Sequence, residues 1–509
     1  MIWGDTVAYW ARWQGGRTAI RFGERELTWE QLSGRASSLA AGLADLGVGH
    51  GDRVGLLMSN RPEFIETVIA CARLGAIVCP FNLRFTAPEL AFVVGNADCT
   101  VVVTESVLRP GLSLALERAP QIGVIDADDG SFERLAAAGR DVEREVGRAA
   151  VLPEDPFFIC YTSGTTGDPK GAVLTHRSWF YASMVRALQG GINLNDRILL
   201  PFPMAFTGGL ALSLVAMWSG AQLVLEPAFD PERALHLIES QRITVFMAVP
   251  TIFQQMSLHP NFAATDLSSI RCASSGGATV PVPLLRTYLD RGITMTQTYT
   301  LTEVSASGIT LPYHQALERV GSCGVPAMHS EARIVDEDGN EVPPGTVGEI
   351  AIRGPEVMVG YWRNPEATAA ALRDGWCHTG DLGTMDADGY FYVVDRAKDM
   401  LISGGLNVYP AEIERQLAGL EGVVELAVIG VPDEKWGETP AVIAVAQPGS
   451  TITAERVLER CVGQLADFKL PRYLVVRPEP LPRNMSGKVL KADLRRQYSD
   501  LPSTASPIR

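Results

Sequence analysis

The sequence predicts an α/β protein: a large sheet-rich unit covered by helices, followed by a small α+β unit. Three observations carry this expectation. The chain has 509 residues, too many for one hydrophobic core, so two or three domains are expected. Its first 150 residues alternate helical and strand-like stretches in a β–α–β rhythm, which implies a mixed or parallel sheet covered by helices. Hydrophobic residues make up 46 % and charged residues 20 %, an ordinary composition for a soluble globular protein.

The elements follow in order. Met1-Ile2-Trp3-Gly4-Asp5 has neither a basic n-region nor an apolar h-region, so no secretion signal is expected. Leu27-Thr28-Trp29-Glu30-Gln31-Leu32 opens a long amphipathic helix that runs to about Leu46 and closes at Gly47 and Gly49. Asp52 to Leu57 reads as a strand, Pro62 to Leu74 as a helix and Gly75 to Pro80 as the next strand. Phe157-Phe158-Ile159-Cys160 is a short apolar run expected as a buried strand. Gly171 to His176 is another strand, leading to a helix near Ser178. Ile198 to Leu225 contains no charged residue, but Pro201, Pro203, Gly208, Gly209, Ser213 and Gly220 interrupt it. A lipid-facing helix would leave those breaks unsatisfied, so strand, loop, buried helix and strand are expected there. Val245 to Gln255 reads as a strand entering a helix, and Ile270 to Ala278 as a strand closing on a glycine turn.

Charge and cysteine usage exclude some functions. A net charge of −14 and a pI near 5.1 argue against a nucleic-acid binder. The eight cysteines are scattered without a C-x-x-C pair. That points to reduced thiols in a cytoplasmic protein, with neither a zinc site nor a disulfide frame. Of 44 basic residues only six are lysine: 170, 398, 435, 469, 488 and 491. In a chain that nearly always writes Arg, Lys marks candidate places for a compact ammonium in place of a planar fork, with codon bias and chance as the alternative.

Chemistry concentrates in Tyr161-Thr162-Ser163-Gly164-Thr165-Thr166-Gly167-Asp168-Pro169-Lys170-Gly171. Hydroxyls, glycines and one ammonium crowd this loop, and glycine lets backbone N–H groups turn inward on an anion. It is not a Walker loop, because Lys170 is followed by Gly171. A plain Ser/Thr/Gly surface loop is the alternative. The run resembles the phosphate loop of the adenylate-forming superfamily, which includes acyl-CoA synthetases, luciferases and peptide-synthetase adenylation domains. The family's other motifs follow downstream in order.

The resemblance implies a role for each matching residue. The loop residues Thr162, Ser163, Gly164, Thr165, Thr166, Gly167 and Lys170 would hold the ATP phosphates. Leu200 to Gly209 is similar to the substrate-gate motif, with Phe206 where His is common. Gly276, Gly277 and Ala278 would lie against the adenine. Gln297-Thr298-Tyr299-Thr300-Leu301-Thr302-Glu303 resembles the Tyr-Gly-x-Thr-Glu motif. Gln297 and Thr298 fall at the nucleotide there, Tyr299 would stack on adenine, Thr302 would touch the α-phosphate and Glu303 would hold Mg²⁺. A carboxylate beside a phosphate is otherwise repulsive, so a bridging hard cation is the natural explanation. Thr298 and Thr300 stand where glycine is frequent, on the wall of the acyl pocket. Asp381 matches the ribose-binding carboxylate, and His378 beside it is not required. Arg396 would approach ribose and phosphate, Lys398 marks the hinge, and Gly404 and Gly405 would line the CoA tunnel. Pro482 to Lys491 resembles the carboxy-terminal loop, in which Lys488 is the adenylation lysine.

The fold implied is a large N-terminal domain, residues 1–395, with mixed sheets and a β-subdomain, and a small mobile α+β domain, residues 396–509. The function implied is an ATP-dependent carboxylate–CoA ligase using ATP, Mg²⁺ and coenzyme A. Two alternatives stand beside it: an adenylating enzyme that loads a carrier protein, and a non-catalytic nucleotide-binding protein. Residues 468–496 hold eight Lys/Arg against Glu479 and Asp493, and this local excess suggests an anionic ligand such as the CoA nucleotide. The expected partners are a small carboxylic acid, ATP and CoA, with no nucleic acid and no integral membrane segment; a homodimer is one expectation for the assembly. Thr298, Thr300 and Phe206 favour a compact, largely apolar acid over a long straight chain.

Overall fold

The computed structural model describes residues 2–145, 150–162, 168–278, 280–483 and 489–509. Two large sheets share one core. In the first, seven strands run in the order Gly360–Tyr361, Lys170–Thr175, Pro156–Thr162, Ile77–Pro80, Arg53–Leu57, Cys99–Thr104, Gly123–Asp126. The second has nine, from Val325–Pro326 through Gly308–Thr310, Met295–Thr300, Cys272–Gly276 and Val245–Ala248 to Arg197–Leu200, Gln222–Leu225, Thr18–Phe22 and Arg25–Thr28. Most pairings are parallel, as the β–α–β rhythm requires. Two of the antiparallel pairs lie where the sheets carry the candidate site: Lys170–Thr175 runs antiparallel to Pro156–Thr162, and Gly308–Thr310 to Met295–Thr300.

Helices Trp29–Asp45, Pro62–Leu74, His176–Gly190 and Thr207–Ser219 fill the space between the sheets. One apolar cluster joins Val54 and Leu56 of the first sheet, through Phe64, Trp179 and Leu214, to Ile198 and Leu223 of the second. The Trp29 helix starts at a capping box, Thr28 accepting from Gln31 N–H while Gln31 accepts from Thr28 N–H. Leu27 therefore belongs to the preceding strand, Arg25–Thr28, and not to the helix. The uncharged 198–225 segment forms the expected strand, loop, buried helix and strand. Among the described residues no helix is long and apolar enough to cross a membrane.

A third, antiparallel sheet (Glu331–Val335, Gly348–Arg353, Trp376–Met385, Leu372–Arg373, Phe391–Arg396) covers residues 331–396. Among the described residues the fourth takes its strands from residues 401–477 and has its own apolar clusters around Ile413, Val428 and Ile443. The architecture is thus a large N-terminal α/β unit and a smaller C-terminal α+β one.

Candidate active site

Thr162 and Lys170 are register partners across their antiparallel pair, so the strand ends bring both side chains to one place. Both line a cavity of about 1120 Å³. Ser163, Gly164, Thr165, Thr166 and Gly167, which connect them, lie outside the described residues.

Tyr361 enters this place through an edge strand. Gly360–Tyr361 pairs with the Lys170–Thr175 strand, Tyr361 opposite Ala172. Its ring centroid lies 5.8 Å from Lys170 Nζ, and its hydroxyl donates to Glu303 Oε1 at 2.8 Å. Burial, and then the Glu303 charge, hold the phenol well above its ordinary value, so Tyr361 remains a donor at any working pH. No motif in the sequence pointed to Tyr361; 58 residues separate it from Glu303.

Thr302 and Glu303 open a short turn, Thr302–Val304, just past the Met295–Thr300 strand. Thr302 Oγ1 lies 3.2 Å from Thr207 Oγ1 at the start of the Thr207–Ser219 helix. Both Thr302 and Glu303 line the cavity. Thr298 and Thr300 share one strand face, two residues apart, and line it too. Gly276 is the register partner of Thr298, and a Cβ there would meet Thr298 Oγ1 at 2.6 Å. The threonine occupies the room that a side chain at 276 would need, so glycine is required. Phe206 reaches the cavity from the loop before the Thr207–Ser219 helix. That loop folds tightly onto the helix start, because a Cβ at Gly209 would meet Pro203 O at 2.3 Å.

The other nucleotide residues sit behind the wall. Gln297, on the opposite strand face from Thr298, accepts from Val280 N–H at 3.4 Å and donates to Ser322 O at 3.5 Å. Its amide secures a turn, and it does not line the cavity. Tyr299 packs among Val304, Ile309 and Ile334 instead of presenting its ring to the cavity. Its hydroxyl donates to Asp381 Oδ2 at 2.7 Å, and Asp381 Oδ1 takes Arg396 Nε at 2.9 Å. Asp381 and Arg396 are register partners, and Arg396 carries this chain of contacts to the cavity wall. Gly277 lines the wall and Ala278 does not. His378 pairs with Glu349 at 2.7 Å, a contact within the third sheet.

Val424, Glu425, Pro480 and Arg483 complete the wall from the C-terminal unit. Lys488 lies outside the described residues; its flanks, Arg483 and Val489, form an antiparallel bridge. Lys398 is exposed in the turn after the Phe391–Arg396 strand. Gly404 and Gly405 turn the chain between Leu401–Ser403 and Leu406–Val408, with the Trp436 ring against Gly404. Neither glycine lines the cavity.

The basic 468–496 segment departs from expectation. Lys469 pairs with Glu412, Arg472 with Asp433, Arg483 with Glu425, Lys491 with Glu414 and Arg495 with Asp399. Arg477 and Arg496 pair with Glu479 and Asp493 inside the segment. Among the described residues the excess charge is met largely by acids from residues 399–433, so these side chains form no open anion-binding patch.

Residues 7–362 match the family profile described as AMP-binding enzyme, and residues 412–488 its C-terminal domain. A feruloyl-CoA synthase of Amycolatopsis sp is 39 % identical over 490 residues, covering 96 % of this chain and 97 % of the relative. A long-chain-fatty-acid–CoA ligase of Mycobacterium tuberculosis is also 39 % identical, over 93 % of each chain. Among solved structures, an anthranilate CoA ligase in complex with anthranoyl-AMP superposes with a TM-score of 0.91 at 26 % identity, covering 99 % of this chain and 98 % of the other.

Proposed function

The chain belongs to the AMP-binding enzyme family, and from that premise we infer its reaction, its acid and the part each residue plays. It is an AMP-forming, ATP-dependent carboxylate–CoA ligase. The carboxylate attacks the α-phosphorus of ATP, and pyrophosphate leaves an acyl-adenylate. The CoA thiol then attacks the acyl carbon, and AMP departs with the bonding electron pair of the cleaved anhydride.

The observation that carries the residue assignment is the convergence of Lys170, Thr302, Glu303 and Arg396 on one cavity. Lys170 and the hydroxyls of Thr162, Ser163, Thr165 and Thr166, together with Gly164 and Gly167, hold the β- and γ-phosphates. Thr302 touches the α-phosphate. Asp381 and Arg396 hold the ribose, Tyr299 fixes the Asp381 carboxylate, and Gly276, Gly277 and Ala278 lie along the adenine. Glu303 suits Mg²⁺, a cation bound through one or two carboxylates together with substrate phosphates; Mg²⁺ would neutralise charge on those phosphates. Lys488 neutralises the attacking carboxylate and the α-phosphate together. Such preorganised charge is the main contribution a protein makes to phosphoryl-type transfer.

Residues 1–395 act as the adenylation domain and 396–509 as the rotating one, turning at Lys398 so that Gly404 and Gly405 approach the CoA path. Eight buried, unpaired thiols support a reducing, cytoplasmic setting. The acid is compact and largely apolar: Thr298 and Thr300 thicken one wall and Phe206 contributes a flat apolar face. Relatives named for ferulate and for long-chain fatty acids are equally similar to this chain, so the reading of the acid rests on the cavity. Pyrophosphate and AMP release from an acid panel, with and without CoA, tests these statements. CoA-dependent AMP formation fastest with a ring-bearing acid is expected. Adenylation without CoA turnover would instead favour a carrier-protein acceptor, and a preference for palmitate would overturn the compact acid.

A further inference from the structure

Arg186 lies in the last turns of the His176–Gly190 helix and lines the cavity beside Val185, Ala211 and Leu212. Its surroundings differ from those of Arg35 and Arg271, which face carboxylates. Arg35 meets Glu66 and Glu133, and Arg271 meets Asp196. Arg186 donates one N–H, from Nη2, to the Ala306 carbonyl. Its Nη1 is closed to solvent and has no acceptor among the described residues. No carboxylate offsets it, and burial alone pushes it down to about 10, still cationic at neutral pH. An enclosed charge with an unused donor is costly unless something else supplies the acceptor. The side chain borders the cavity.

We propose that Arg186 is a specificity-determining residue that binds an oxygen acceptor, a second carboxylate above all, carried by the acid away from its reacting carboxylate. This rests on the ligase reading above and revises its substrate class, adding a polar far end to the otherwise apolar acid. The fit is one of charge and of length. A carboxylate supplies the missing counter-charge and matches the planar guanidinium fork. Ala306, to which Arg186 is fastened, is three residues beyond Glu303, and three residues span at most about 11 Å. The distal group therefore sits within a short acid's length of the phosphate end. The neighbouring Val185, Ala211 and Leu212 would take an apolar spacer.

The test compares acids that differ only at the far end, in a benzoate series (4-ethylbenzoate, 4-acetylbenzoate, terephthalate) and a short aliphatic series (hexanoate, 5-oxohexanoate, glutarate). For wild type, the best oxygen-bearing acid should exceed its alkyl counterpart in kcat/KM by roughly 10- to 200-fold, the range of one charged hydrogen bond. Arg186→Gln, which keeps a donor for Ala306 O, should abolish that preference while leaving alkyl acids within about fivefold, because the group binds only the distal oxygen. Arg186→Lys should restore part of it. A wild-type preference for the alkyl acids, or an unchanged ranking in Arg186→Gln, overturns the proposal. So does an equal loss for every acid, which would make Arg186 a fastener of the Ala306 loop. Melting curves separate misfolding from these outcomes, and calorimetric titration of terephthalate and glutarate onto the wild type and the Gln variant reads binding without turnover. Should no acid in any series form AMP with CoA, the ligase reading itself falls, a result distinct from a wild type that is active but indifferent at residue 186.

Discussion

Tyr361→Phe probes the link between Glu303 and Lys170. The variant keeps the ring, and so keeps the face that Lys170 Nζ approaches at 5.8 Å. It deletes one hydrogen bond, the 2.8 Å O–H donated to Glu303 Oε1. A hydrogen bond to a charged group contributes about 1.5–3 kcal/mol. Without it the Glu303 carboxylate is no longer fixed in the direction it faces the cavity. Partners that orient a metal ligand typically account for about 10- to 100-fold in metal affinity or activity. Tyr361→Phe should therefore raise the Mg²⁺ concentration that half-saturates ATP–pyrophosphate exchange by that factor, with little change in maximal rate at excess Mg²⁺. Tyr361→Leu removes the ring as well, and should add a loss of ATP affinity through Lys170, worth about 0.5–1 kcal/mol for a partly exposed cation–π contact. An unaltered Mg²⁺ dependence in a folded Phe variant would refute the assignment of Glu303 as the metal carboxylate held by Tyr361.

Four further outcomes are expected. Lys488→Ala should slow adenylation by roughly two to four orders of magnitude, while thioester formation from supplied acyl-AMP stays within about tenfold; equal losses in the two steps would contradict the assignment. Lys398→Pro fixes φ near about −65° and should preserve adenylation while thioester formation falls; a variant normal in both steps would place the pivot elsewhere. Thr298→Gly should shift kcat/KM toward longer acids, by roughly 10- to 200-fold for a one-methylene change in fit, and an unchanged chain-length profile would remove Thr298 from the acyl wall. His176 is buried beside Phe157, and burial pushes its imidazole from 6.5 down to about 4. The unfolded chain takes up that proton first as pH falls, so the contribution is full above pH 6.5 and lost on the way to 4; it amounts to about 3 kcal/mol. Urea midpoints of wild type and His176→Phe between pH 7 and 5 check this: the wild type should lose more stability, and parallel slopes would rule it out.

Local signals explain what the sequence made legible. Pro62 and Gly75 bracket a helix found at Pro62–Leu74, because proline suits a first turn and glycine the residue after the last. The uncharged 198–225 run was readable because its prolines and glycines divide it into pieces too short to span a bilayer. Leu27 was misplaced: its apolarity suits strand and helix alike, and the Thr28–Gln31 capping box decides between them. The clustering of Thr298, Thr300, Thr302 and Glu303 at one cavity follows from a single strand and turn, a short-range pattern. Tyr361 and Arg186 were hidden for the opposite reason. Tyr361 meets Lys170 through an edge strand formed 191 residues later in the chain (361 − 170), and Arg186 looks like any polar residue on a mixed helix. The 468–496 segment was misread because its counter-charges, Asp399, Glu412, Glu414, Glu425 and Asp433, come from an earlier stretch that folding brings against it.

The buried thiols bear on chemical selectivity. An enzyme that holds an acyl-adenylate stores a mixed anhydride that any thiolate could intercept, and the intended nucleophile is itself a thiol. Cys272 lines the cavity, where such self-acylation would be most damaging, yet burial pushes its thiol up to about 11. At pH 7 roughly one part in ten thousand of it is thiolate. Burial raises Cys71, Cys79, Cys160, Cys323 and Cys377 as well. The thiol that lines the cavity is thus kept protonated, and Cys272 does not compete with the incoming CoA thiol for the activated acid.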